Sequence, residues 1–159
     1  MRLEAEVVGR FETAGDCAKL LYVPPEEGLT FRRSRCYALG YDGDPEAVKR
    51  FVATVLFDPI SQDLHFGDEP AIAGAALILD YGMKPTALDL EKETVLRYHR
   101  ELEEPGFVFT ELTIRTRLYI FAAAGGGAGG RPAGSPVSPE PFLRDVVNPA
   151  IHSWRIAHA

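Results

Sequence analysis

The sequence predicts an α+β chain built from two copies of one β-α-β-α-β unit in tandem. Three observations carry that prediction. The phrase "TAGDCAK" at 13–19 returns as "TALDLEK" at 86–92. The stretch "LTFRRSRCY" at 29–37 returns as "LTIRTRLY" at 112–119. The pairs Asp44-Pro45 and Asp58-Pro59 return, in the same order, as Ser138-Pro139 and Asn148-Pro149. Repeats of this period mark a supersecondary unit used more than once.

Each unit opens on a strand. "RLEAEVV" alternates Leu3, Ala5 and Val7, and "AALILDY" alternates Leu77, Leu79 and Tyr81. Both runs lead to a glycine, Gly9 or Gly82, and then to a helix start. Thr13 with Asp16, and Thr86 with Asp89, have the spacing of a capping residue followed by an acid near the positive helix end. A long extended stretch follows in each copy, β-branched and aromatic, ending on Tyr37 or Tyr119. Asp44 before Pro45, and Ser138 before Pro139, then predict second helices with an N-cap and a proline at the first position. The first carries Val48, Phe51, Val52, Val55 and Leu56 on one face; its counterpart carries Phe142, Leu143, Val146 and Val147. Short last strands follow in "SQDLHF" and "IHSWRI". This order is the split βαβ, or ferredoxin-like, plan, with helices on one sheet face. The expected division is a first repeat at 1–68, a hinge at 69–74 and a second repeat at 75–159. The second repeat contains a Gly/Pro-rich insertion at 122–139, and residues 125–136 are expected to be the most mobile part of the chain.

The alignment has a one-residue mismatch. "LTFR" matches "LTIR" at an offset of 83, whereas Arg35-x-Tyr37 matches Arg117-x-Tyr119 at 82. Since a one-residue slip turns side chains to the opposite face, a β-bulge near Arg32–Ser34, or a break into two strands there, is expected, with a smoother strand in the second copy. That irregularity would keep Arg33, Arg35 and Tyr37 on a face equivalent to that of Arg115, Arg117 and Tyr119. These six are the candidate partner-binding residues, since arginine and tyrosine are frequent anchors at interfaces.

Composition narrows the function. A net charge of −6 argues against a partner held by phosphate neutralisation, so no nucleic acid is expected. The opening "MRLEAEVV" has no apolar signal core and no run reaches the length of a membrane span, so a cytoplasmic chain with no membrane partner is expected. Cys17 and Cys36 lack CxxC spacing and read as small buried apolar residues. Asp63 and His65 share a strand face without a second cluster, so both read as solvated, and His99 reads as a surface or boundary residue beside Arg97 and Arg100. None of the motifs GxSxG, HExxH, Walker or Rossmann occurs. No catalytic, cofactor-binding or metal-binding residue is expected, and no cofactor.

The residues also resemble a known family. "LDYGMKPTALDLEKETVLRYHRELEEPGFVFTELTIRTRLYIF" is similar to PurS, the small subunit of phosphoribosylformylglycinamidine synthase, through Lys84, Pro85 and Asp89. The family's Gly-Val after that proline, and its proline after the Asp, are missing here. "RCYALGYDGDPEAVKRFVATVLFDPISQDLHF" looks like the PurS-like segment at the front of long synthetase chains, through Tyr37, Asp58, Pro59, Ile60 and Gln62. The resemblance implies a non-catalytic module of an ATP-dependent amidating complex in purine synthesis. Its partners would be glutaminase and synthetase subunits, and two fused copies would act as a built-in dimer; further homo-oligomerisation stays open. The competing reading is an ACT-like module sensing an amino acid. A free-standing enzyme on the same plan ranks behind both for want of a recognisable site.

Overall fold

A computed structural model of the chain describes residues 1–23, 28–123 and 136–157. The Gly-rich run expected to be mobile lies, at 125–135, outside the described residues. Elements run β1 (Arg2–Gly9), β2 (Gly15–Asp16), a 3-10 turn (Cys17–Lys19), β3 (Thr30–Gly43), α1 (Pro45–Val55) and β4 (Gln62–Phe66). They continue as β5 (Leu77–Met83), α2 (Leu90–Arg100), β6 (Phe107–Phe121), α3 (Glu140–Asp145) and β7 (His152–Ala157). All seven strands join one sheet in the order β4-β1-β3-β6-β5-β7, with β2 beside β3. Every pairing is antiparallel. The fold is therefore α+β: one antiparallel sheet with three short helices.

The helices cover one face. Cross-strand partners share a face, so the register assigns Ala5, Tyr37, Leu39, Leu112 and Ile114 to the helix side. There they pack with Val48, Phe51 and Val52 of α1 and Val95 of α2. A second core joins Leu77, Leu79, Leu118 and Ile120 to Phe142 and Val147 around α3, and to Cys17, Leu21 and Leu29 from the first half.

The expected helix starts are realised unequally. Asp44 caps α1 by accepting from the Glu46 amide, with Pro45 in the first turn. At the other two repeated sites the aspartate is itself the cap, rather than the threonine. Asp16 accepts from Ala18 N and Asp89 from Lys92 N. After Asp16 only a three-residue 3-10 turn forms, because Pro24 and Pro25 follow too closely for two helical turns. The two matching phrases thus lead to different structures, a full helix after Asp89 and a single turn after Asp16. Ser138 does not cap α3. Pro139 holds that position, and the serine hydroxyl bonds the Glu140 carboxylate instead.

The expected bulge near Arg32–Ser34 is absent. The β3–β6 register runs unbroken from Thr30↔Phe121 to Gly40↔Glu111 and shifts only between Gly40 and Tyr41, where Thr110 becomes the extra residue on β6. The apolar parity explains why. In β3, Phe31, Tyr37, Leu39 and Tyr41 are all odd-numbered, and nothing needs correcting. In β6, Phe107 and Phe109 are odd while Leu112 and Ile114 are even, so one inserted residue lets both sets face the helices. The bulge belongs to the second strand.

A consequence follows for the arginines. Arg33, Arg35 and Tyr37 lie on the helix side, while Arg115, Arg117 and Tyr119 lie on the helix-free side. The two patches occupy opposite faces of the sheet. Equivalence at the level of faces belongs to the "LTFR" and "LTIR" match, not to the Arg-x-Tyr match.

Candidate functional site

Charged side chains cluster in the middle of the helix-free face. Arg117 lies next to Asp80 on β5 and Ser34 on β3, and Asp80 lies next to Arg155 on β7. Glu6 reaches the same row from β1. Arg117 grips Asp80 with two parallel bonds, Nε to Oδ1 at 2.7 Å and Nη2 to Oδ2 at 2.9 Å. Its third nitrogen donates to Glu6 Oε2 at 2.8 Å. Such forked pairs are the strong form of the charged hydrogen bond. The Glu6 carboxylate also accepts from the Ser34 and Tyr119 hydroxyls. Arg155 completes the row by donating Nε to Asp80 at 2.9 Å.

Residues 67–76, which contain the hinge expected at 69–74, lie over this row. Gly67 N donates to Glu4 O, Ala71 N donates to Glu6 Oε2 at 3.0 Å, and Ala76 N donates to Ile120 O. Ala75 packs with Ile78 and Tyr119, flanked by Ile72 and Phe121. Under this cover Glu6, Asp80 and Arg117 are at most 4% exposed. Burial pushes the Asp80 carboxyl up, but the bonds from Arg117 and then Arg155 outweigh it and hold it below the usual carboxylate range. The bond to Asp80 raises Arg117. Burial, with the bond to Glu6, raises the Tyr119 phenol. These groups form a closed structural network whose donors and acceptors are matched.

The second arginine cluster lies on the helix side. Arg35 pairs with Glu91 of α2 and donates Nη1 to Thr116 Oγ1 at 2.7 Å, while the Tyr37 hydroxyl donates to Glu91 at 3.2 Å. Burial beside Glu91 pushes the Tyr37 phenol up to about 12. Arg33 is exposed, with its guanidinium 5.1 Å from the Phe31 ring centre. The six candidate partner residues are therefore dispersed. Arg35, Tyr37, Arg117 and Tyr119 hold the fold internally, and Arg33 and Arg115 make no hydrogen bond or ion pair among the described residues.

The remaining candidates separate cleanly. His99 is buried, where a surface or boundary position was expected, with Nε2 3.1 Å from Phe107 O and its ring among Phe51, Phe107 and Phe109. The signal was present in the sequence, since His99 is four residues after Val95 and shares its helix face. Asp63 pairs with Arg10 at 2.8 Å and His65 is exposed. Cys17 is fully buried, and burial raises its thiol to about 11; Cys36 is half-buried, raised to about 12 by the same cause. Among the described residues no three His, Cys, Asp or Glu side chains converge as metal ligands, and no helix is long and apolar enough to cross a membrane.

Beyond the covered row, the helix-free face opens into a hollow of about 140 Å³. Its floor holds Cys36 and Ala38, and its sides hold Arg2, Glu4, Glu111, Thr113, Arg115 and Arg155. A broader groove of about 320 Å³ continues beside β6 toward Lys84, Asp89 and Ser153, and Arg115 lines both.

No family model matches this chain. Nor does any curated protein or any solved structure.

Proposed function

We propose that the chain is a non-catalytic, PurS-like assembly module of the phosphoribosylformylglycinamidine synthase type, made of two ferredoxin-like units in tandem. In this reading it bridges a glutaminase and an ATP-dependent synthetase in purine biosynthesis and carries no catalytic residues of its own. The observation that supports it best is the strand order. Residues 1–66 and 75–157 each place their first long strand between the other two, as β4-β1-β3 and β7-β5-β6, and β3 and β6 then pair along the middle. Two units joined edge to edge in this way have the form of a dimer made covalent. The three-residue turn after Asp16 departs from the plan, since a ferredoxin-like unit has a helix there.

The partner surface in this reading centres on Arg33, which stands exposed over Phe31. The test is co-purification of the chain with separately expressed glutaminase and synthetase subunits, read by size-exclusion chromatography with light scattering. A stable ternary complex, weakened by Arg33→Ala, is expected. Three species eluting independently at micromolar concentrations would overturn the reading.

A further inference from the structure

We propose that the open end of the helix-free face binds a small oxyanion, a phosphate or carboxylate group, held by Arg115 and Arg155. The proposal is independent of the assembly reading. It starts from a count of charges. In the covered row, two carboxylates (Glu6 and Asp80) meet two guanidinium groups (Arg117 and Arg155) and the sum is zero. Arg2 is matched by Glu4 at 2.7 Å. Arg115 is half-buried between the hollow and the groove, yet it makes no hydrogen bond or ion pair among the described residues. A guanidinium carries five donors in a fixed fork, and with none of them spent on the described residues they face the hollow and the groove, free to meet a ligand's oxygens.

The surroundings supply further donors. Arg155 gives Nε and Nη2 to Asp80, which leaves Nη1 for a ligand. The Ser153 hydroxyl stands on the same sheet face, next to Gly82. Of the nearby carboxylates, Glu4 is paired with Arg2. Glu111 lines the hollow and the groove and accepts only from the Thr113 hydroxyl among the described residues. It keeps its charge, against which a bound anion has to compete.

The backbone makes room for this arrangement. A Cβ on Gly82 would lie 2.5 Å from Ile114 O and 3.1 Å from Arg115 Cγ. Only glycine lets β5 approach so closely while the Arg115 stem crosses over it. The small floor residues, Cys36 and Ala38, leave the hollow its depth. Two arginines and the Ser153 hydroxyl around a floor of small side chains suit an oxygen-rich anionic group.

The test is an amide NMR titration of the full chain, first with sodium phosphate and then with sodium succinate, at an ionic strength held constant with sodium chloride. Saturable shifts are expected at Cys36, Ala38, Thr113 and Ser153, with low-millimolar affinity. Arg115→Gln should weaken binding about tenfold or more. Arg33→Gln, on the opposite face, should leave it unchanged. Saturation by phosphate alone assigns a phosphate ester, by succinate alone a carboxylic acid, and by both a general oxyanion site. The proposal fails if neither anion gives saturable shifts, or if Arg115→Gln leaves them intact.

Discussion

The two ends of the helix-free sheet face are made of similar residues and solve opposite problems. At the covered end, Glu6, Asp80 and Arg117 lie in near-complete burial, and each charge is answered by another. At the open end, Arg115 stands two residues along the same strand with no partner among the described residues. The difference is the cover. Residues 67–76 exclude water from one end, which makes every unmatched charge there prohibitive; the other end keeps its water and tolerates a free guanidinium. Burial, rather than residue type, decides which arginine is structural.

The sharpest break in this comparison is Arg117→Met. It takes the guanidinium away from Glu6 and leaves Asp80 with Arg155, and urea denaturation should show a loss of about 3–5 kcal/mol. Glu6→Gln is milder. It keeps the shape but weakens four donated bonds, and about 1.5–3 kcal/mol should be lost. The Ala71 amide should also exchange faster with deuterium, because its acceptor is Glu6. At the open end, Gly82→Ala should cost about 1–3 kcal/mol by thermal unfolding, since the added methyl meets the Ile114 carbonyl and not a movable side chain.

The pH dependence separates the two ends further. Asp80 has a folded-state pKa below its unfolded value, so the folded chain binds fewer protons in that range. Its stabilisation is complete above the unfolded value of about 4 and is lost as pH falls through the lower, folded value. Asp80→Asn should flatten that acid limb in denaturation midpoints measured from neutral to acid pH. The smallest effect belongs to Arg115→Gln. It removes no internal bond, and stability should stay within about 0.5 kcal/mol. A large loss there would erase the distinction between the two ends.

Much of the fold was legible in the sequence because its signals are local. Alternation in "RLEAEVV" and "AALILDY" placed β1 and β5, and Asp44-Pro45 with its apolar stripe placed α1. The length of the first helix was misread because matching "TAGDCAK" to "TALDLEK" ignored the prolines at 24 and 25. The arginine faces were misread for a related reason. Identity of letters was followed at Arg35 and Arg117, where the parity of the apolar residues in β3 and β6 gives the opposite faces. Parity would also have exposed the buried row. Glu6, Asp80 and Arg117 each lie opposite the apolar face of their strand, yet only Arg117 was a candidate, and as a partner-binding residue. What no local pattern could reveal is that residues 67–76 cover them, since that depends on how two distant halves meet.

The long ladder between β3 and β6 also bears on how the chain acquires its structure. Its pairs join residues far apart, from Gly43 with Phe107 to Thr30 with Phe121, separations of 107 − 43 = 64 and 121 − 30 = 91 positions. Closing such loops costs entropy before any contact repays it, so this topology predicts a slow folder for its size. It also predicts that neither half is a kinetic unit on its own, because each would present a bare central strand to solvent. A chain cut within residues 67–76 should yield two fragments that recover structure only by meeting, at a rate that rises with their concentration.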